Sequence, residues 1–287
     1  MMQFNLFIEL IRLKKPIGYM LLFWPCAWGL TAVFDFSSKL NVYFFYLLLF
    51  FLGAVLMRSA GCIVNDILDK NFDSRVSRTK NRPIASEKIS IKLGLLYASF
   101  LCLLAFLILI NFNYFTIIIA LASMPLAFTY PLMKRFTYWP QLFLGITFNY
   151  GLILGWSSIS SNVEYIPIIF YFGAIFWTLG YDTIYGFQDI KDDEIIGLKS
   201  TSIKFKNDPY TFLYLCYSIF TISLIVVGYL LKMNIFYYIM LVPVIFQMFY
   251  LQLYKLNISD AHICLKTFKS NNFLGILIFI TLVVGKI

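Results

Sequence analysis

Carboxylates are concentrated in two short segments of this chain. Eight of its 14 acidic residues lie in residues 65–73, which read N-D-I-L-D-K-N-F-D, and in residues 182–194. Both segments repeat a spacing of four residues between oxygen-bearing side chains, at Asn65, Asp69 and Asp73 and at Asp189 and Asp193. Residues four apart share one face of a helix, where like charges destabilise the helix. A divalent cation removes that repulsion, and oxygen ligands without nitrogen or sulfur are typical of Mg²⁺.

Cysteine and histidine provide no competing metal site. The five cysteines are scattered, no C-x-x-C pair is present, and His262 is the only histidine. A thiolate or imidazole centre is therefore not expected. Mg²⁺ keeps several waters and usually bridges one or two carboxylates to substrate phosphates. Two aspartate segments that face each other thus predict a diphosphate-binding site.

Basic side chains accompany both segments. Arg75, Arg78 and Arg82 follow the first, Lys199 follows the second, and Lys134 ends an apolar run between them. Arg and Lys stabilise the negative charge that grows on a departing diphosphate. Two plainer interpretations stay open: the charges form solvated loops, or the basic residues anchor lipid headgroups. The recurrence of the aspartate spacing in two segments favours the binding site.

Composition indicates that membrane helices position these segments. The 287-residue chain is 61% hydrophobic and only 13% charged, whereas a soluble domain typically carries about 25% charged residues. This excludes a soluble globular protein, a disordered chain and a collagen-like fibre. The formal charge of +9 indicates anionic partners, either lipid headgroups or a phosphate-bearing ligand, rather than nucleic acid.

Apolar runs of about 20 residues predict nine transmembrane helices. They lie at about 16–35, 41–64, 92–110, 114–132, 138–159, 165–185, 210–231, 234–252 and 271–287. Most basic residues fall in connections on one side, which predicts a cytoplasmic N-terminus. The aspartate-rich connections, 65–91 and 182–209, lie on that cytoplasmic side. Residues 1–15 are predicted to form a surface helix, and residues 1–287 a single domain.

Arg58 lies inside the second predicted span, two turns before the first aspartate segment. A charged side chain within a membrane is costly, so it usually faces the interior of the helix bundle and has a partner there. Two roles stay open for Arg58. It forms an ion pair with one of the aspartates, or it contacts an anionic group of a substrate, such as an aromatic carboxylate.

These motifs resemble the UbiA superfamily of membrane prenyltransferases, and most closely its 4-hydroxybenzoate polyprenyltransferase branch. The matching segments cover nearly the whole chain: R-L-K-K-P-I-G at 12–18, G-C-I-V-N-D at 61–66, R-P at 82–83, residues 130–137, Y-D-T-I-Y at 181–185 and on to 193, and G-L-K-S-T at 197–201. The N-D-x-x-D-x-x-x-D and D-x-x-x-D motifs are specific for the superfamily. The R-x-x-K-P-I-G, Y-D-T-x-Y and K-S-T segments indicate the branch.

The resemblance implies a fold and a site. The fold is an all-α membrane protein of about nine helices around a central cavity with a lateral opening to lipid. Two Mg²⁺ ions are implied at Asn65, Asp69, Asp73, Asp189 and Asp193, with Asp66 and Asp192 in support. Phosphate contacts are implied for Arg75, Arg78, Arg82, Lys134 and Lys199. Lys191 stands where this branch often has an acidic residue, a departure that bears on phosphate affinity more than on the reaction class.

The implied reaction is Mg²⁺-dependent transfer of a polyprenyl chain from an allylic diphosphate to 4-hydroxybenzoate, ortho to its hydroxyl. This is an early membrane step of ubiquinone biosynthesis, expected here in a bacterial inner membrane. Asp182 or Asp66 is the expected base for the ring proton, and Arg58 is expected in the same catalytic region. Membrane lipids are the other expected partners, with no obligatory protein partner and no nucleic acid.

Two other functions are compatible with the sequence. The first is the same chemistry on another acceptor: homogentisate, a naphthoate, a porphyrin or a phosphoribose sugar. The second is a cation-coupled transporter that uses the aspartates as ion sites. A transporter's aspartates are expected near the bilayer midplane, whereas these lie at the ends of predicted spans. Their position therefore favours the transferase.

Overall fold

A computed structural model describes residues 2–75 and 79–287, and these residues form helices and connections without a strand. The α-helices, in chain order, are α1 (Met2–Leu10), α2 (Ile17–Val33), α3 (Leu40–Leu68), α4 (Lys70–Asp73), α5 (Ile91–Leu109), α6 (Tyr114–Ala122), α7 (Met124–Thr129), α8 (Met133–Phe136), α9 (Pro140–Ser160), α10 (Tyr165–Gly186), α11 (Ile190–Ile196), α12 (Thr201–Lys204), α13 (Pro209–Leu230), α14 (Ile235–Ile245) and α15 (Ala261–Lys286). A 3₁₀ turn, Tyr130–Leu132, separates α7 from α8, and a π-helical segment, Phe246–Tyr254, continues α14.

Short polar side chains fix where several helices begin. The side chain of Ser90, for example, accepts a hydrogen bond from the Leu93 N–H at the start of α5. The same kind of cap precedes α6, α12, α13, α14 and α15, at Asn113, Ser200, Asp208, Asn234 and Asp260. Each cap satisfies a backbone amide that has no partner within its helix.

Seven helical stretches of the described residues are long and apolar enough to cross a membrane. They are α3, α5, Tyr114–Phe136, α9, α13, Ile235–Tyr254 and α15. The chain is therefore an integral membrane protein. Helices also occur at the two other predicted spans, but α2 is shorter, with 17 residues, and α10 is not among the seven. Nine crossings, and the side on which the N-terminus lies, stay predictions.

Contacts of α2 hold the centre of the bundle together. Trp28 of α2 and Trp177 of α10 are fully buried, with ring centroids 4.9 Å apart. Gly29 allows α2 to approach α9 closely, because a Cβ at this position would lie 2.0 Å from the carbonyl oxygen of Leu152. Nε1 of Trp28 donates to the carbonyl of Gly275 in α15 at 3.1 Å, so a polar group buried in apolar surroundings is satisfied. These contacts fix four helices relative to one another.

The N-terminal helix is partly buried. It covers Met2–Leu10 of the predicted 1–15, and the chain then turns at Arg12, whose φ of 55° is in the left-handed region. Leu10 and Ile11 are buried in a second apolar cluster together with Ile63 and Ile84. A helix is present at residues 2–10, and the end of the segment packs against α3 and the connection before α5; its position at the membrane surface stays a prediction.

Candidate active site

The first aspartate segment lies at a break between α3 and α4. Asp69 interrupts the helix with φ −97° and ψ 4°. Helical hydrogen bonds continue across the break, since the Asp69 N–H donates to the Asn65 carbonyl at 2.9 Å and the Asp69 carbonyl accepts from the Asp73 N–H at 2.8 Å. The predicted spacing of four is therefore kept. Asp66, Asp69 and Asp73 are 2%, 1% and 7% exposed, and carboxylates so buried need charged partners.

Two arginines hold Asp66 and Asp73. Nη1 of Arg82 donates to Asp66 Oδ1 at 3.1 Å and to Asp73 Oδ2 at 2.7 Å. Nη2 of Arg12 donates to the same Asp66 oxygen at 2.5 Å. Burial raises the pKa of Asp73, and the charge of Arg82 opposes that rise. Arg12 was not among the predicted site residues, although it begins the R-x-x-K-P-I-G motif.

Asp69 has a different set of cations. Lys134 Nζ donates to Asp69 Oδ2, and Arg135 Nη2 lies 3.6 Å from Asp69 Oδ1. That Oδ1 atom is buried and accepts no hydrogen bond from the described residues. Arg135 instead donates to the Leu68 carbonyl at 2.6 Å, and its guanidinium lies 5.1 Å from the centroid of the Phe72 ring. Arg135 thus holds the C-terminal end of α3, a role that its position in the sequence did not predict.

The short helix α8 contacts both the first aspartate segment and Lys199, which follows the second. The side chain of Lys134 contacts Asp69, while its carbonyl accepts a hydrogen bond from the Lys199 N–H at 2.9 Å. The Lys199 Nζ donates to the Phe136 carbonyl at 3.3 Å. Two of the predicted phosphate-contacting residues, Lys134 and Lys199, are therefore neighbours. The first aspartate segment and Lys199, which follows the second segment, therefore both contact this short helix.

Apart from Asp182, which lies in α10, the acidic residues of the second segment lie on α11 or directly before it. Asp189 precedes this helix and its carbonyl accepts from the Asp193 N–H at 2.9 Å, so the predicted i, i+4 spacing is present. The helix ends at Gly197, whose φ of 77° is one that glycine adopts without strain. The hydroxyls of Thr183 in α10 and Thr201 in α12 form a hydrogen bond of 2.6 Å. This bond fixes the K-S-T segment beside α10, immediately after α11.

Several predicted residues lie at the margin of this arrangement or outside the described part. Arg75 is exposed after α4, and Lys191 is exposed on α11. Asn65 is half-buried in the last turn of α3. Arg78 lies outside the described residues, and so does the side chain of Asp192. The predicted contacts of Arg75 and Arg78 with phosphate stay predictions.

Arg58 lies within α3, and Asp182, which is half-buried, lies near the end of α10. Cζ of Arg58 lies 5.4 Å from the centroid of the Phe148 ring. Gly18 makes room for this side chain, because a Cβ there would lie 2.8 Å from the Arg58 Nε. Among the ion pairs of the described residues, none includes Arg58 or Asp182. The described residues therefore do not show the first of the two roles predicted for Arg58, an ion pair with an aspartate.

The donor chemistry of the first segment fits Mg²⁺, but a ligand shell is not assembled. The described residues contain no group of three or more Asp, Glu, His or Cys side chains placed to hold a metal ion. Basic side chains occupy the surroundings of Asp66, Asp69 and Asp73 instead. The implied ligands all offer oxygen, which Mg²⁺ prefers. The buried Asp69 Oδ1, which accepts no hydrogen bond from the described residues, is suited to a cation.

Comparisons with known proteins find one family. The model of the UbiA prenyltransferase family matches residues 22–279. The mitochondrial 4-hydroxybenzoate polyprenyltransferase of Bos taurus is 41% identical over 286 residues, which are 98% of this chain and 75% of the bovine protein. The Homo sapiens protein of the same name is 39% identical with the same coverage. Both relatives are named as mitochondrial, so the expected bacterial inner membrane finds no support in them.

Solved structures share the fold. The apo structure of a UbiA homolog from Aeropyrum pernix K1 superposes with a TM-score of 0.76 at 19% identity, covering 94% of this chain and 99% of that chain. A UbiA homolog from Archaeoglobus fulgidus bound to GPP and Mg²⁺ gives a TM-score of 0.70 at 18% identity, covering 97% and 99%.

Proposed function

The chain belongs to the UbiA prenyltransferase family, and on this premise we propose that it transfers a polyprenyl chain from an allylic diphosphate to 4-hydroxybenzoate. The observation that carries the proposal is that α8 binds Asp69 of the first aspartate segment through the Lys134 side chain and binds Lys199, which follows the second segment, through the Lys134 carbonyl. An arrangement of carboxylates and cations at one end of an apolar bundle is suited to a metal-bound diphosphate with a long lipid tail. Family membership also argues against the alternative of a cation-coupled transporter.

Oxygen ligands for Mg²⁺ would come from both segments, at Asn65, Asp69, Asp73, Asp189 and Asp193. Bound Mg²⁺ supplies positive charge to the diphosphate as the allylic carbon–oxygen bond breaks. Asp66 is held by two arginines and therefore serves to keep these arginines beside the ligands. Support for this assignment comes from the burial of Asp69 and Asp73 and from the Asp69 oxygen that accepts no hydrogen bond from the described residues.

Basic residues of the chain bind and stabilise the diphosphate. Lys134 and Arg82 contact aspartates of the first segment, and Lys199 lies beside Lys134; there the charges would offset the charge that develops on the leaving group. Arg75 and Arg78 complete the proposed set. The apolar walls of the helix bundle exclude water, which would otherwise quench the allylic cation.

The acceptor is oriented by Arg58 and deprotonated by Asp182. Arg58 forms no ion pair with a described carboxylate and has space beside Gly18, so its guanidinium is available for the carboxylate of 4-hydroxybenzoate. The ring carbon ortho to the hydroxyl attacks the allylic carbon, a carbon–carbon bond forms, and the ring loses its proton to a base. Asp182 is the better base, because Asp66 is already bound by Arg12 and Arg82.

The site faces the side of the membrane on which most basic residues lie. By that rule the N-terminus and both aspartate segments share this side, and residues 1–287 act as one domain. The reaction is an early membrane step of ubiquinone formation. Its substrates are the polyprenyl diphosphate and 4-hydroxybenzoate, with membrane lipids as surroundings and no obligatory protein partner.

Substitution of one aspartate from each segment tests the proposal. We expect Asp69→Ala and Asp189→Ala each to abolish prenyl transfer in membranes that contain the variant at the wild-type level. Glu9→Ala, which alters an exposed acidic residue of α1, is the matched control and should retain activity. Full activity of either aspartate variant would contradict the proposed site.

A further inference from the structure

We propose that Lys134 is an internal counter-ion of Asp69 that a metal ion must displace, so that metal and diphosphate bind this protein cooperatively. The inference rests on the proposed function, because it takes Asp69 as a metal ligand and Lys134 as a phosphate contact. Lys134 and Asp69 form this ion pair before metal or diphosphate binds.

The two oxygens of Asp69 differ in their partners. Oδ2 accepts from the Lys134 ammonium, whereas Oδ1 accepts no hydrogen bond from the described residues and has only an ionic contact of 3.6 Å with Arg135. The Asp69 side chain is 1% exposed, so water gives it little compensation. A metal ion that uses Oδ1 alone adds a third cation beside the Lys134 ammonium and the Arg135 guanidinium. A metal ion that uses both oxygens must first move the ammonium away.

Lys134 can leave Asp69 without releasing α8. Its ammonium is at the end of a flexible four-carbon stem, and its side chain is 26% exposed. Its carbonyl meanwhile stays bound to the Lys199 N–H at 2.9 Å. Arg135 is far less free, because its guanidinium both donates to the Leu68 carbonyl and lies over the Phe72 ring. Of the two cations at Asp69, Lys134 is the one that can exchange partners.

A diphosphate offers the displaced ammonium new anionic partners. Without diphosphate, metal binding breaks the Lys134–Asp69 ion pair and leaves the ammonium facing the metal. With diphosphate present, the ammonium moves to a phosphate oxygen while the metal takes its place at Asp69. Each ligand therefore lowers the cost of binding the other, and this coupling is reciprocal. The internal ion pair also keeps Asp69 compensated in the metal-free protein.

The experiment measures metal binding rather than activity, with the full chain in detergent at neutral pH. Mn²⁺ is the probe, titrated with and without inorganic diphosphate and quantified as the metal retained by the protein after gel filtration has removed free Mn²⁺ and the Mn²⁺–diphosphate complex. Lys134→Met removes the ammonium. Lys70→Met is the matched control, because it removes the same charge next to Asp69 in sequence from a lysine that pairs with the exposed Glu87 at 2.8 Å.

We expect Lys134→Met to bind Mn²⁺ alone about tenfold more tightly than the wild type, the scale of one displaced charge-assisted contact. The Lys70→Met control should change by no more than about twofold, as expected of a surface ion pair. Diphosphate should tighten Mn²⁺ binding strongly in the wild type and much less in Lys134→Met. Mg²⁺ should also raise the melting temperature of Lys134→Met more than that of the wild type, because ligands that bind only the folded state stabilise it.

Equal Mn²⁺ affinity of Lys134→Met and Lys70→Met in the absence of diphosphate would overturn the counter-ion role. If Lys134→Met does not fold, Lys134→Gln removes the charge while keeping a hydrogen-bond donor, and the same comparison decides. Asp69→Asn separates this inference from the proposed function. Wild-type Mn²⁺ binding by Asp69→Asn with diphosphate present contradicts the metal site itself, and with it both proposals. Loss of binding in Asp69→Asn, with no difference between the two lysine variants, overturns only the inference about Lys134.

Discussion

Replacing Arg82 with methionine removes the cation that two buried aspartates share. Its Nη1 lies 3.1 Å from Asp66 Oδ1 and 2.7 Å from Asp73 Oδ2. Without Arg82, Asp66 keeps its bond with Arg12, but Asp73 loses the ion pair with Arg82. Loss of one partner from a fully buried pair costs roughly 3–5 kcal/mol. Because the Arg82 side chain is 22% exposed, water screens part of this effect, and we expect Arg82→Met to lower the free energy of unfolding by about 2–3 kcal/mol.

The assay is reversible unfolding by SDS in mixed micelles, with Lys88→Met as a control at an exposed position of the same connection. The control should change the free energy by less than about 0.5 kcal/mol. Adding Asp73→Asn to Arg82→Met removes the uncompensated charge, and we expect it to restore about 1–2 kcal/mol. A double variant no more stable than Arg82→Met would refute the reasoning, because the loss would then come from something other than the stranded carboxylate.

Three further predictions concern packing, the acceptor and pH. Gly29→Ala should lower the free energy of unfolding by at least about 2 kcal/mol, because the backbones of two helices must separate. In the control Gly53→Ala, no atom lies within 4 Å of the new Cβ, so SDS unfolding should be unchanged or should favour the folded state. Arg58→Met should raise KM for 4-hydroxybenzoate about 10–100-fold with little change in KM for the diphosphate. Steady-state assays in which only KM for the diphosphate rises would contradict the role of Arg58 in binding the acceptor. Lys70 lowers the pKa of Glu87, mainly through a hydrogen bond and also through its charge. The stabilising effect of this ion pair is therefore present above the ordinary glutamate pKa of 4.5 and is lost as the pH falls through the lowered value. Melting curves of Glu87→Gln and the wild type should therefore converge in acid, and a constant difference would count against that ion pair.

Hydrophobic runs predicted the positions of helices well because each run is a local property of the sequence. Predicted span 138–159 corresponds to Pro140–Ser160, and 165–185 to Tyr165–Gly186. The last helix was placed too late, at 271–287, whereas α15 begins at Ala261. Lys266 and Lys269 precede the apolar run in the sequence and limited the predicted span on that side. They do not prevent the helix from extending beyond the hydrocarbon. The π-helical segment, Phe246–Tyr254, depends on a shift of backbone hydrogen bonds for which the composition gave no signal.

The sequence located the acidic residues of the candidate site but only some of the cations that contact them in the structure. The aspartate spacing is local, so the sequence was sufficient to find it. The partners of those aspartates come from distant parts of the chain: Arg12 is 54 residues from Asp66, and Arg135 is 67 residues from Leu68. Two signals were nevertheless present. Arg12 belongs to a motif that indicated the branch, and Arg135 directly follows Lys134. The folded chain adds what spacing cannot give, namely which cation faces which carboxylate.

The most direct test of the central claim is the product that the protein makes. Membranes containing the wild-type chain, supplied with Mg²⁺, a mixture of allylic polyprenyl diphosphates and a panel of acceptors, are extracted and their products identified by mass spectrometry. The acceptors are 4-hydroxybenzoate, homogentisate, a naphthoate, a porphyrin and a phosphoribose sugar. We predict a polyprenylated 4-hydroxybenzoate that is absent when Asp69→Ala replaces the wild type or when the metal is chelated. A product formed only from another acceptor would contradict the proposed substrate, and prenylation that persists in Asp69→Ala would contradict the site.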